Sequence, residues 1–203
     1  MNKDEAQLTL PLSSPLSKDN RALWTPFEIF QSLDQETMAL LGEDRRLEYK
    51  RAQTIDFEAY ATYLSAFSNT VDGGVIVFGA DSNGCPTGCK DVALAQLNKL
   101  EHVHMTMCPM AAPQFRRFSV RLNEQEDYCI AVYVPYMRKL VETHKGEAWA
   151  RYGDQRHKMS DDAKRDYRAT RGELAYELES TSYTYPDDFD LNVKLMSPYL
   201  TGD

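Results

Sequence analysis

The run Val75-Ile-Val-Phe-Gly-Ala80 carries no polar side chain, and Asp72-Gly73-Gly74 leads into it. Consecutive apolar positions over so short a stretch fit a strand covered on both faces, because a half-exposed strand would alternate. A strand of that kind is expected at the centre of a sheet. Other elements must then pack over the sheet on either side.

The rest of the chain offers those elements. Phe57, Tyr60, Ala61, Leu64 and Phe67 recur at helical spacing behind Asp56, a suitable N-cap, and the helix is expected to end before Asp72. Thr25-Pro26 opens two short helical turns that Gly42 stops. Residues 47–52 alternate, with Leu47 and Tyr49 on one face and Glu48 and Lys50 on the other, which predicts a strand with a polar face. A further helix is expected from Asp91 to about Met105, and strands at 115–122 and 128–134 are joined by the acidic turn Asn123 to Asp127. A short strand near Glu147 to Arg151 and a helix from about Ser160 to Glu179 complete the order. That order predicts an α+β fold, a mixed β-sheet packed with helices.

Residues 1–22, with Pro11 and Pro15 among serines, are expected to form a flexible arm, residues 23–179 the domain, and residues 180–203 an acidic tail. With 42% hydrophobic and 27% charged residues the chain is too apolar for a disordered protein, and no run approaches the roughly 18 apolar residues of a membrane span. The N-terminal stretch lacks the order of a signal peptide, so a cytoplasmic protein without a membrane partner is expected. The four cysteines, Cys85, Cys89, Cys108 and Cys129, are then expected to be reduced thiols. Together with His102 and His104 they match no zinc spacing. Gly73-Gly74 and Gly79 belong to no phosphate-binding glycine motif, which argues against an ATPase on these residues.

A net charge of −8 argues at first against a nucleic-acid partner. Its distribution changes the argument. Residues 172–203 hold one lysine against seven acids, whereas residues 138–171 hold ten Lys/Arg against six acids. A basic segment therefore precedes an acidic one.

Glu43-Asp-Arg-Arg-Leu-Glu48-Tyr-Lys50, then Leu64-Ser-Ala-Phe-Ser-Asn69-Thr-Val-Asp-Gly73-Gly74-Val-Ile-Val-Phe-Gly79-Ala-Asp81, then Val132-Tyr-Val-Pro135 and Arg151-Tyr-Gly153, resemble the Schlafen-type AlbA-like (AlbA_2) domain over roughly residues 41–170. The resemblance implies a nucleic-acid-binding domain, for DNA or RNA, of a kind found in many bacterial proteins labelled transcriptional regulators. In nuclease-competent Schlafens two glutamates and an aspartate form a metal-binding carboxylate cluster. By motif match these fall on Glu43, Glu48 and Asp81, with Lys50 beside them as a further catalytic candidate. A magnesium or manganese ion held there could activate water for phosphodiester cleavage. Taken on their own, Glu48 and Lys50 read as a solvated strand face rather than an active site. Asn69 and Thr70 read as residues that satisfy backbone groups at the helix end.

For nucleic-acid binding the candidate cations are Arg116, Arg117, Arg121, Arg138, Lys139, Arg151, Arg156 and Lys158, expected to build one basic face from residues 116–121 and 138–158. Two other readings stay open beside it. One is a metal-dependent nuclease acting on RNA or single-stranded nucleic acid, and the other a protein-interaction module with no nucleic-acid role. Animal Schlafens set two copies of the domain around a groove, so by analogy a homodimer is a further expectation.

Overall fold

A computed structural model describes Arg21 and residues 23–171. The expected arm, apart from Arg21, and the expected acidic tail lie outside the described residues. The described elements run α1 (Pro26–Ser32), α2 (Gln35–Leu40), β1 (Leu47–Lys50), α3 (Phe57–Ser68), β2 (Gly74–Phe78), α4 (Leu94–His102), α5 (His104–Met107), β3 (Gln114–Leu122), β4 (Gln125–Val134), β5 (Trp149–Tyr152), β6 (Gln155–Lys158) and α6 (Asp161–Thr170).

The main sheet has the strand order β1-β2-β4-β3. β1 pairs with β2 in parallel, and the other neighbours are antiparallel. The sheet is therefore mixed, and the α+β expectation holds. β2 is interior and buried at every position. Its alternate side chains serve two cores: Ile76 and Phe78 pack with Leu64, Phe67 and Leu100 on one side, and Val75 and Val77 pack with Ile29, Phe30 and Met38 on the other. Helices α3 to α5 thus cover one face, and α1 and α2 the other.

Local chemistry places these elements. Thr25 and Glu28 form a reciprocal capping box on α1 with Pro26 in its first turn, and Asp56 accepts from the Ala59 amide to start α3. β2 passes so close to α3 that a Cβ on Gly74 would lie 1.8 Å from the Phe67 ring. Gly79, at φ +94°, ends the strand where a Cβ would meet the sulfurs of Cys89 and Cys129 at 2.9 and 3.2 Å.

Three differences from the sequence expectation have physical causes. The acidic turn between β3 and β4 shrinks to Asn123 and Glu124, both at positive φ (48° and 66°), and the ladder continues through Gln125 to Asp127. Two consecutive left-handed residues make the tight hairpin turn whose twist matches the strands. The helix expected over Asp91 to Met105 is two shorter helices, α4 and α5. Finally, β5 and β6 form a two-stranded hairpin of their own, although Gln155-Arg-His-Lys158 has no apolar alternation. The hairpin lies against α3, and hydrogen bonds hold it there. The Trp149 amide donates to Ser65 Oγ (3.0 Å), the Arg151 amide to Thr70 Oγ1 (2.9 Å), and Asn69 Nδ2 to the Trp149 carbonyl (2.9 Å). Asn69 also exchanges bonds with Val141, Nδ2 to its carbonyl at 2.9 Å and Oδ1 from its amide at 2.8 Å. The expected backbone role of Asn69 and Thr70 is met across a sequence distance of some 70 to 80 residues.

Candidate nucleic-acid interface

Glu48 stands on β1, on the face turned toward α3. The strand face expected to be solvated is covered here by α3 and the β5–β6 hairpin, leaving Glu48 only 5% exposed. A buried carboxylate must be matched by charge and by donors. Glu48 has both. Its Oε1 accepts from Lys50 Nζ and from the Tyr63 hydroxyl of α3 (2.7 Å), and its Oε2 from Arg151 Nη2 of β5 (2.8 Å).

Arg151 is the centre of this arrangement. It passes over the Phe67 ring at 4.9 Å and donates through Nε and Nη2 to the Asp44 carbonyl (3.1 and 2.7 Å) and through Nη2 to that of Leu47 (3.4 Å). The carbonyls of Arg46 and Lys50 accept from β2, so the alternating backbone groups of Leu47 and Tyr49 face the open edge of the sheet. Arg151 and the Glu43 carboxylate, which accepts from the Tyr49 amide at 2.9 Å, close that edge.

Burial opposes the charge on Glu48, but the hydrogen bonds from Lys50 and Tyr63 and the charges of Lys50 and Arg151 outweigh it and hold its pKa below the usual range. For Lys50, burial likewise acts to lower the pKa, and the bond and charge of Glu48 overcome it, leaving the value raised. Tyr63 is raised by burial and by its bond to Glu48. Arg156 of β6 lies over the Tyr63 ring, its guanidinium carbon 3.8 Å from the ring centre. Glu48 is thus one negative charge between Lys50 and Arg151, with Arg156 beyond the Tyr63 ring. The excess positive charge sits on the two outer members, since the Arg151 side chain has no exposure while that of Lys50 is 38% exposed.

The expected metal ligands do not meet. Glu43 is engaged by the Tyr49 amide, both oxygens of Glu48 are occupied by cationic or hydroxyl donors, and Asp81 Oδ1 accepts from the amides of Asn83 and Cys85 (3.0 Å each) in the turn after β2. Among the described residues no group of three His, Cys, Asp or Glu side chains could hold a metal ion. The donor set does not fit magnesium or manganese, because the one buried carboxylate is already neutralised by cations.

The expected basic face is divided. β3 and β1 are opposite edges of the sheet, so the cations of residues 116–121 lie away from the β5–β6 hairpin. Arg116 turns inward and caps α1, donating to the carbonyls of Phe30 (2.9 and 2.7 Å) and Leu33 (2.8 Å), and Arg151 is equally committed to the interior. Arg117 pairs with Glu101 at 2.8 Å, and Lys158 with Glu147 at 2.6 Å. Arg121, Arg138 and Lys139 are exposed, Arg121 on β3 and the other two in the loop after β4. Tyr63, which sequence reasoning missed, falls off the core stripe of α3 by one position. Its signal was a large aromatic on the helix flank facing a strand with an alternating Glu and Lys.

No helix among the described residues is long and apolar enough to cross a membrane. The fold is similar to the crystal structure of the DIP2311 protein from Corynebacterium diphtheriae, with a TM-score of 0.47 and 15% identity, over 78% of this chain and 35% of that one. The chain thus spans about a third of that protein's length. A search of the curated proteins finds no match. A family model described as Schlafen, AlbA_2 matches residues 43–160, which include β1, α3, β2 and the whole β5–β6 hairpin. This match, over more than half of the sequence, shows that the chain belongs to the Schlafen AlbA_2 family.

Proposed function

We propose that this domain binds nucleic acid, DNA or RNA, through the cationic recess of Lys50, Tyr63 and Arg156 built over the Glu48–Arg151 pair. The observation that carries the reading is the charge balance of the cluster. One buried carboxylate, with both oxygens engaged, faces two cations, Lys50 and Arg151, and Arg156 adds a third over the Tyr63 ring, so positive charge is left on Lys50, whose side chain is 38% exposed, and on Arg156. A phosphate is the natural complement, since a guanidinium can donate two parallel bonds to it and an ammonium adds a point charge. The Tyr63 ring, 3.8 Å from the Arg156 guanidinium carbon, packs against the arginine and limits the rotamer freedom lost on binding. Glu48 and Arg151 act as positioning residues that hold Lys50 and Tyr63 in place. Family membership supports the same partner class.

The test is a titration of the full chain with labelled single-stranded RNA, single-stranded DNA and duplex DNA, with manganese or EDTA, beside an Arg156→Gln variant. Salt-sensitive binding that the variant weakens, without cleavage, is the expected result. Absence of binding to all three at low salt would overturn the reading. Manganese-dependent cleavage would return Glu43, Glu48 and Asp81 to the metal role.

A further inference from the structure

Beside the Tyr63–Arg156 stack lies a cavity of about 200 Å³, lined by Asp56, Glu58, Thr143, Lys145, Trp149 and Arg156 among others. Three side-chain polar atoms of its lining residues are buried without a hydrogen-bond partner: Thr143 Oγ1, on a residue only 6% exposed, Trp149 Nε1 and Arg156 Nη1. A buried polar group left unsatisfied is costly, so three around one cavity point to a missing complement. The volume is several times the roughly 30 Å³ share of one water and below the roughly 300 Å³ at which pockets for drug-sized ligands begin. It suits a single ring system rather than a whole nucleotide.

The charge of the walls selects among ligands of that size. Of the three lining carboxylates, Glu58 is paired with Lys145 (2.8 Å) and Glu147 with Lys158 (2.6 Å), which leaves only Asp56 and Arg156 and therefore walls of little net charge inside the cavity. A neutral heterocycle carrying both donors and acceptors suits the mixture. The Thr143 hydroxyl can donate and accept, Arg156 can donate to a ring carbonyl, the carboxylates can accept from an exocyclic amine, and the half-buried Trp149 offers a face for stacking. The neighbouring recess at Lys50 is lined by Asp56, Ala59 and Tyr63, and the first two also line this cavity, so the two sites adjoin across the first turn of α3.

The geometry points to this cavity as the seat of one unpaired nucleobase, held by Thr143, Arg156 and Trp149 while the adjoining backbone phosphate lies at Lys50 and Arg156. The inference rests on the proposed nucleic-acid binding and deepens it. The substrate class becomes single-stranded or locally unpaired nucleic acid, because a base inside a duplex cannot enter such a pocket.

The experiment compares a short labelled single strand with an otherwise identical strand of abasic residues, and with the same sequence as duplex. Affinity is read by anisotropy on the full chain. Emission is read in a Trp24→Phe background, where Trp149 is the remaining one of the two tryptophans. The base-bearing strand should bind about tenfold tighter than the abasic one and change Trp149 emission. Thr143→Val should remove most of that advantage while leaving abasic binding unchanged, and Thr143→Ser should retain it. Equal affinity for the two strands with unchanged emission would overturn the base pocket and leave phosphate binding standing. Absence of binding by either strand at low salt would overturn the nucleic-acid reading itself.

Discussion

Replacing Arg151 by methionine should destabilise the domain severely. The substitution removes the ion pair with Glu48 Oε2 and the bonds to the carbonyls of Asp44 and Leu47, inside a site where the arginine side chain has no solvent exposure and that of Glu48 has 6%. Removing one partner of a buried pair costs about 3–5 kcal/mol, because the other charge is left buried. Glu48 keeps Lys50 and Tyr63, which places the expected loss near the lower end, about 3 kcal/mol. In a domain of this size the melting temperature should fall by roughly 6–12 °C. Urea unfolding followed by circular dichroism gives the value directly. A cycle with Glu48→Gln separates the pair from the rest: the double variant should lose about 1–3 kcal/mol less than the sum of the two single ones. If Arg151→Met costs under about 1 kcal/mol and instead weakens nucleic-acid binding, then the arginine faces ligand and the interior role argued here is refuted.

Three further outcomes follow from the same structure. Glu48 has a folded-state pKa below its unfolded one, so its contribution is present above about pH 4.3 and is lost as the pH falls from there through the lowered value; acid melts of Glu48→Gln should show a shallower loss over that range than the unaltered protein. Asn69→Ala should cost about 1–3 kcal/mol in urea unfolding, since the Val141 amide and carbonyl and the Trp149 carbonyl lose their partner. A thiol reagent at pH 8 should label Cys85 fast and Cys89, Cys108 and Cys129 only on unfolding, because the latter three are buried and burial pushes their pKa up to about 12.

What the sequence made legible was local. The apolar run of β2, the Asp56 cap, the Thr25-Pro26 start and the paired strands β3 and β4 each follow from neighbouring residues, and each appears in the fold. The site was legible only in its parts. Glu48 and Lys50 share a strand face as alternation requires, but the burial of that face depends on a hairpin about 100 residues downstream, which Glu48 reaches through Arg151. The polar β6 gives no periodic signal because only its pairing with β5 makes it a strand. The cations read as one face were divided by a strand order that sets β3 and β1 at opposite edges. An arginine rich in phosphate-binding capacity and one that caps a helix or seals a sheet edge look alike until their partners are known, as Arg116 and Arg151 illustrate.

The measurement that bears most directly on the nucleic-acid recess is the salt dependence of single-strand affinity for the intact chain and for a Lys50→Gln, Arg156→Gln double variant. If phosphates are held by these two cations, the slope of log affinity against log salt should fall by about 0.7 for each cation removed, with affinity lost similarly across sequences. An unchanged slope, with affinity intact, would contradict the assignment of phosphate binding to this recess.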